Sequence, residues 1–174
     1  MDLFFEPLQS YHDRKAFDCG EPSLNDYLHR YARQNDARDI GRAFVAVEAP
    51  GSPRIVGYYT LSTYTLESQS LPEKGLPRYA IPAALIGRLA RDVRFRGQGV
   101  GELLLRDALN RCLAVSEEIA IHAVVVDALY ERAKRLYREF GFQGLLGHPM
   151  QLFLPTKTLR KTKENPPTLL HKTT

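Results

Sequence analysis

Residues 84–105 constrain this chain more than any other stretch. They open with an apolar run, Ala84-Leu85-Ile86-Gly87-Arg88-Leu89-Ala90, that suits a buried strand. The chain then turns through Arg94-Phe95-Arg96-Gly97-Gln98-Gly99-Val100-Gly101. An amphipathic helix follows, with Val100, Leu103, Leu104, Ala108 and Cys112 on one face. Strand, glycine turn and helix in this order leave unbonded backbone N–H groups at a helix start. The helix dipole adds positive potential there, so the turn is an anion site suited to phosphate. Glycine lets backbone approach a ligand closely and tolerates positive φ.

Three phosphate-loop patterns compete for this turn. A Walker loop needs Lys-Ser or Lys-Thr after its last glycine, whereas Glu102-Leu103 follow Gly101. A dinucleotide fingerprint needs Gly-x-Gly-x-x-Gly, and glycines at 97, 99 and 101 put the last one out of step. Arg-x-x-Gly-x-Gly fits, as Arg96-Gly97-Gln98-Gly99-Val100-Gly101. This hexapeptide resembles the pyrophosphate-binding turn of the GNAT superfamily of acetyl-CoA-dependent N-acetyltransferases. The six residues alone suit an ordinary strand–helix connection equally well. Gly87-Arg88-Leu89-Ala90 before them and Leu103-Leu104-Leu105 after them favour the functional reading.

The remaining totals narrow the class. A length of 174 residues suits one domain with a substantial core. No apolar stretch is long enough to span a bilayer, and residues 1–6 lack the basic start and apolar region of a signal peptide. Cys19 and Cys112 match no metal or redox spacing and are expected as reduced, buried thiols in a cytoplasmic protein. No residues support a metal site or nucleotide hydrolysis. The net charge of +4 permits a polyanionic partner without demanding one. Basic residues gather at Arg30, Arg33, Arg38 and Arg42, around the glycine turn, and between Lys157 and Lys163. Each cluster taken alone reads as a solvated face.

Along the chain, residues 4–8 suit a first strand. From Ser23, Leu24, Tyr27, Leu28, Tyr31 and Ala32 define one face of a helix, with His29 opposite and exposed. Residues 43–47 and 55–62 read as paired strands across a Pro50-Gly51-Ser52-Pro53 turn. Residues 67–82 form a proline-rich loop long enough to be partly helical. Residues 119–126 are a continuous apolar strand of the central, parallel kind, with His122 as a hydrogen-bonded core histidine and Asp127 at its end. A helix over residues 129–140 is capped by Gly141. Residues 142–146 and 150–154 are the last strand pair. Beyond Pro155 the chain turns basic and polar, and a loose tail is expected, with the domain over 1–159 and the tail over 160–174.

The segment Tyr137-Arg138-Glu139-Phe140-Gly141-Phe142 resembles the closing helix and strand of a GNAT fold. The resemblance implies an α/β architecture with a mixed central sheet flanked by helices. It also implies that Tyr137, which shares a helical face with Ala133 and Phe140, is the general acid near the donor sulfur. A closer resemblance covers most of the chain up to Leu159. Its carriers are Phe17-Asp18-Cys19-Gly20 with Leu24, Tyr27 and Leu28, then Gly57-Tyr58-Tyr59-Thr60-Leu61-Ser62, Gly87-Arg88-Leu89-Ala90, Val126-Asp127-Ala128 and Leu152-Phe153-Leu154-Pro155. These are similar to the TacT/AtaT-type toxins, GNAT enzymes of bacterial toxin–antitoxin pairs. The implied activity is acetylation of the α-amino group of aminoacyl-tRNA, which stops translation. The implied partners are a ribbon–helix–helix antitoxin, DNA only through that antitoxin, and a second copy of the chain. Arg91 departs from the pattern, because an apolar residue often follows the Leu-Ala pair.

The resemblance places the pyrophosphate of acetyl-CoA over Gly97, Gln98, Gly99, Val100 and Gly101, with Arg96 adding a charge-assisted contact. Backbone at Leu89, Ala90 and Arg91 would hold the acetyl carbonyl and pair with the pantetheine arm. The RNA surface is assigned to Arg30, Arg33, Arg38 and Arg91. A free α-amine titrates at about 7.7–8.0, so a useful fraction is neutral near pH 7, and no strong protein base is identified. A protein N-terminus, a lysine or a small amine are alternative acceptors. A non-catalytic acyl-CoA-binding or DNA-corepressor module is the alternative from another class.

Overall fold

A computed structural model describes residues 1–164. Seven strands form one mixed sheet in the order β1-β2-β3-β4-β5-β7-β6. They are β1 (Phe4–Pro7), β2 (Arg42–Val47), β3 (Gly57–Leu66), β4 (Ile81–Arg91), β5 (Ala123–Asp127), β6 (Gln143–Leu145) and β7 (His148–Pro155). All neighbours are antiparallel except β4 and β5, which run parallel. The helices are α1 (Pro22–Asp26), α2 (Ala32–Ala37), α3 (Val100–Ser116), α4 (Glu131–Glu139) and α5 (Thr156–Glu164). The expected α/β architecture is therefore present.

The sheet is covered on both faces, and the period-two alternation of strands shows how. In β5, Val124 and Val126 join the core beneath α3, while Ala123 and Val125 face a second cluster with Leu66, Ile81 and Phe153. Both faces of β5 are buried, as its unbroken run of β-branched residues requires. Each fully buried valine contributes roughly 1.5–3 kcal/mol. In β3, Tyr59 packs under α3 and Tyr58 packs under α1 with Phe17 and Leu28.

The β3–β4 ladder holds one irregularity. Thr60 pairs with Arg88, but Leu61 pairs with Ile86, so Gly87 is a surplus residue in β4. The parallel β4–β5 pairing covers only Ala83↔Ala123 through Ile86↔Val126. From Gly87 to Arg91 the β4 backbone has no neighbour on that side, and the two parallel strands part there.

Several boundaries differ from the sequence expectation. The helix read from Ser23 is broken by a π-turn over Tyr27–Tyr31, in which the Ala32 N–H reaches the Tyr27 carbonyl. The wide turn shifts the buried face, so Tyr27, Leu28 and Ala32 are buried and Tyr31 is 47 % exposed. His29 is half-buried, and its Nε2 lies 2.9 Å from the Phe17 carbonyl. On α3 the buried stripe takes in Leu105, Leu109 and Leu113, and Leu103 is only half-buried. The strand expected at residues 119–126 starts at Ala123, so His122 sits just before it, half-buried and 3.0 Å from Glu73. The helix expected over residues 129–140 begins later, at Glu131, with Gly141 at φ 96° as expected. The expected loose tail is corrected at its start: Thr156–Glu164 form α5. Thr156 anchors that helix to the Ile121 carbonyl, and Leu159 packs on the core. The rest of the expected tail, residues 165–174, lies outside the described residues. Both cysteines carry free thiols; Cys112 is buried and Cys19 half-buried.

Gly57 lets α3 approach the sheet. A Cβ there would fall 2.8 Å from Leu104 Cδ1 and 2.9 Å from the Ala90 carbonyl oxygen. Gly57→Ala is therefore expected to destabilise the fold by about 1–3 kcal/mol, read as a lowered urea midpoint with an unchanged m-value.

Candidate active site

The gap between β4 and β5 opens into a cleft of about 430 Å³. Leu85, Gly87, Arg88 and Leu89 line it from β4, Asp127 from β5, Ala133 and Tyr137 from α4, and Ser23 and Leu24 from α1. Arg88 is fixed by stacking on the Tyr27 ring, 3.5 Å from its centroid. Tyr58 Oη donates to the Leu24 carbonyl at 2.7 Å and ties α1 to the sheet. At the rim, the Tyr130 phenol donates to the Glu21 carboxylate, joining segments 109 residues apart. This contact pushes Tyr130 up to about 12 and holds Glu21 below the usual carboxylate range.

Tyr137 is 5 % exposed, and its ring packs against Phe142. Burial, and then the nearby charge of Asp127, push its phenol up to about 12. A phenol held there stays protonated at any physiological pH and can donate a proton to a developing anion. Tyr137 is therefore both part of the core and a lining residue of the cleft.

One end of the site is cationic. Gly97 and Gly99 take φ of 72° and 74°, and a Cβ at either would meet nothing within 4 Å, so open space lies above both. Gly99 caps α3, with no side-chain cap hydrogen bond from it. Arg91 extends beside it, on the face that Gly57 shares with Val100 and Leu104. Arg91 Nη1 is buried with no hydrogen-bond partner among the described residues. Burial lowers the pKa of this guanidinium, and the positive charges of Arg96 and Arg132 lower it further. An unpaired buried donor is costly, and an anion there would satisfy it. A glycine turn open above, a helix start and the positive charges of Arg91, Arg96 and Arg132 fit a diphosphate. The free β4 edge at residues 87–91 offers unpaired amides and carbonyls that fit an extended amide chain. Arg132, on the first turn of α4, was not found from the sequence, because only folding brings it beside Arg91 and Arg96.

Arg30, Arg33 and Arg38 are exposed and do not line the cleft. Arg30 pairs with Asp26 at 2.9 Å along the helix, and Arg33 flanks a separate hollow with Gln9 and Phe44. The structure groups Arg91 with the glycine turn and not with these three.

Asp92 holds the turn in place. It is fully buried, accepts from the Arg94 N–H and guanidinium at 2.8–2.9 Å, and accepts from the Asp18 N–H at 3.1 Å. Burial pushes its carboxyl up, but these donors outweigh it and the net shift is downward.

Residues 39–144 match the family model described as acetyltransferase (GNAT) domain, so the chain belongs to the GNAT acetyltransferases, acetyl-CoA-dependent N-acyltransferases. The chain is 34 % identical over 150 residues to a tRNA-acetylating toxin of Mycobacterium tuberculosis, covering 85 % of this chain and 89 % of the relative. It superposes with TM-score 0.86 on AtaT complexed with acetyl-methionyl-tRNAfMet, at 34 % identity over 93 % of this chain and 99 % of that one. A tyrosine-to-phenylalanine mutant of AtaT bound to the C-terminus of the antitoxin AtaR gives TM-score 0.81 at 31 % identity, covering 95 % and 99 %. Within its family the chain belongs to the TacT/AtaT-type toxins. No described helix is long and apolar enough to cross a membrane.

A depressed Asp92 pKa stabilises the fold above the ordinary carboxyl value of about 3.9, and that contribution fades as pH falls towards the folded-state pKa. Asp92→Asn is expected to lower stability at pH 7 and to flatten the acid limb of the stability–pH curve, measured by urea titrations between pH 7 and pH 3.

Proposed function

We propose that the protein transfers the acetyl group of acetyl-CoA to the α-amino group of aminoacyl-tRNA in the cytoplasm, halting translation. We further propose that a co-encoded ribbon–helix–helix antitoxin neutralises it and carries the pair to DNA. The observation that carries this reading is a buried protonated phenol on the cleft lined by Gly87, Arg88 and Leu89 of β4, with the same strand running on through Arg91 towards the open glycine turn. The shared fold with a tRNA-acetylating toxin and with AtaT supports the choice of acceptor and of partner.

Acetyl-CoA supplies an activated acyl group on a thiol leaving group. The chain's own residues bind and orient it. The amides at Gly99, Val100 and Gly101, with Arg96, Arg132 and the unpaired Nη1 of Arg91, take the diphosphate. Given its burial beside the turn, Arg91 belongs to this set and not to the RNA surface, which leaves Arg30, Arg33 and Arg38 for tRNA. Backbone at Leu89, Ala90 and Arg91 pairs with the pantetheine arm, and an N–H there stabilises negative charge on the acetyl oxygen. Tyr137 protonates the leaving sulfur.

Labelled acetyl-CoA incubated with charged and uncharged tRNA tests the acceptor. Label in the charged sample alone is expected, and equal labelling of peptide N-termini or lysines would overturn it. Tyr137→Phe is expected to cut kcat by about 10²-fold or more while leaving the Kd for CoA unchanged by calorimetry. Because burial holds the phenol near 12, the wild-type rate is expected to show no alkaline loss from Tyr137 below pH 10. Arg91→Ala and Arg132→Ala are each expected to weaken CoA binding about tenfold, with little effect on pantetheine binding.

A further inference from the structure

Asp127 is the last residue of β5 and the first beyond the β4–β5 ladder, which ends at Ile86↔Val126. It lines the cleft that holds Tyr137, and its charge is felt by the buried phenol. Among the described residues its carboxylate is held from one side only. Gln151, opposite it on β7, donates from Nε2 to Asp127 Oδ1 at 2.8 Å. The same Nε2 lies 3.2 Å from Tyr64 Oη. No cation forms an ion pair with Asp127 among the described residues. The cleft's other charges are engaged elsewhere: Arg88 stacks on Tyr27, and Glu21 at the rim accepts from Tyr130. An oriented carboxylate with an unclaimed oxygen therefore faces the space beside the proton donor.

We propose that Asp127 binds the acceptor amine and takes its proton during transfer, a catalytic role for a residue outside the glycine turn and Tyr137. This rests on the amine acetylation proposed above. The neutral amine donates an N–H to the free Asp127 oxygen, which aims its lone pair at the thioester carbonyl. As the C–N bond forms the nitrogen becomes cationic and strongly acidic, and Asp127 accepts one proton from it. The C–S bond breaks with its electron pair on sulfur, and Tyr137 gives its phenolic proton to that sulfur. Proton transfer from Asp127 through solvent then restores Tyr137, so the cycle consumes and releases no net proton. Splitting the work in this way suits two groups of different kind, a phenol kept protonated by burial and a carboxylate held at the cleft wall by Gln151.

Asp127→Asn is the sharp test, because an asparagine oxygen still accepts from Gln151 but cannot take the proton. On whichever amine the wild-type protein acetylates, the variant is expected to lose about 10²-fold in kcat, with melting temperature and CoA Kd unchanged. Asp127→Ala is expected to lose as much and to regain activity when formate is added. Wild-type kcat in Asp127→Asn would overturn the proposal. So would an activity loss that tracks a fall in melting temperature or CoA affinity, or a failure of formate to raise the rate of Asp127→Ala. The wild-type assay with charged tRNA judges the tRNA reading separately, since that reading can fail while Asp127 still governs transfer to another amine.

Discussion

One surplus residue in β4 governs the rest of the molecule. Gly87 is unmatched on β3, and a Cβ there would press within 3.3 Å of Thr60 Oγ1. A bulge bends its strand and strengthens its local twist. The parallel ladder with β5 ends at Ile86, the residue immediately before the bulge. Beyond it β4 stays bonded to β3 alone, so a sheet that is otherwise closed acquires an open seam at its centre. Gly87, Arg88, Leu89, Asp127 and Tyr137 line that seam, and Arg91 lies at the end of its strand.

The seam is polarised along its length. At one end the open start of α3, Arg91, Arg96 and Arg132 gather positive charge. Asp92, close by in sequence, is spent on Arg94 and the Asp18 N–H. Towards the other end stand Tyr137, neutral because it is buried, and the exposed side chain of Asp127. A long anionic donor can lie in only one direction across such a field. On the proposed function, recognition at the arginines thereby sets which atom reaches the phenol.

Much of this was legible in the sequence where local chemistry decides the outcome. The glycines at 97 and 99 announced positive φ, the run of valines at 124–126 announced a strand buried on both faces, and Gly141 announced a helix end. Tyr137 was found because its spacing from Gly141 and Phe142 resembles a known closing segment. What escaped was whatever depends on distant segments meeting. Arg132 gains its meaning only beside Arg91, 41 positions earlier in the chain. Asp127 looked like a strand terminus until Gln151 and the parted ladder gave it a fixed, open oxygen. The π-turn was hidden because a 3.6-residue pattern tolerates one extra residue without losing its apolar members. The helix α5 was hidden because Thr156–Glu164 is polar almost throughout and is held by Thr156 and Leu159.

The wide turn at Tyr27–Tyr31 makes the first helical segment a rod with a built-in phase correction. Each residue of a regular helix advances the azimuth by about 100°. Deleting one position from the turn would restore regular bonding yet spin α2 through that angle. Asp36, which reaches Arg42 at 2.8 Å and the Ala43 N–H at 3.4 Å, would then point away from β2. The length of this rod is therefore as strict a requirement as the apolar side chains that it buries.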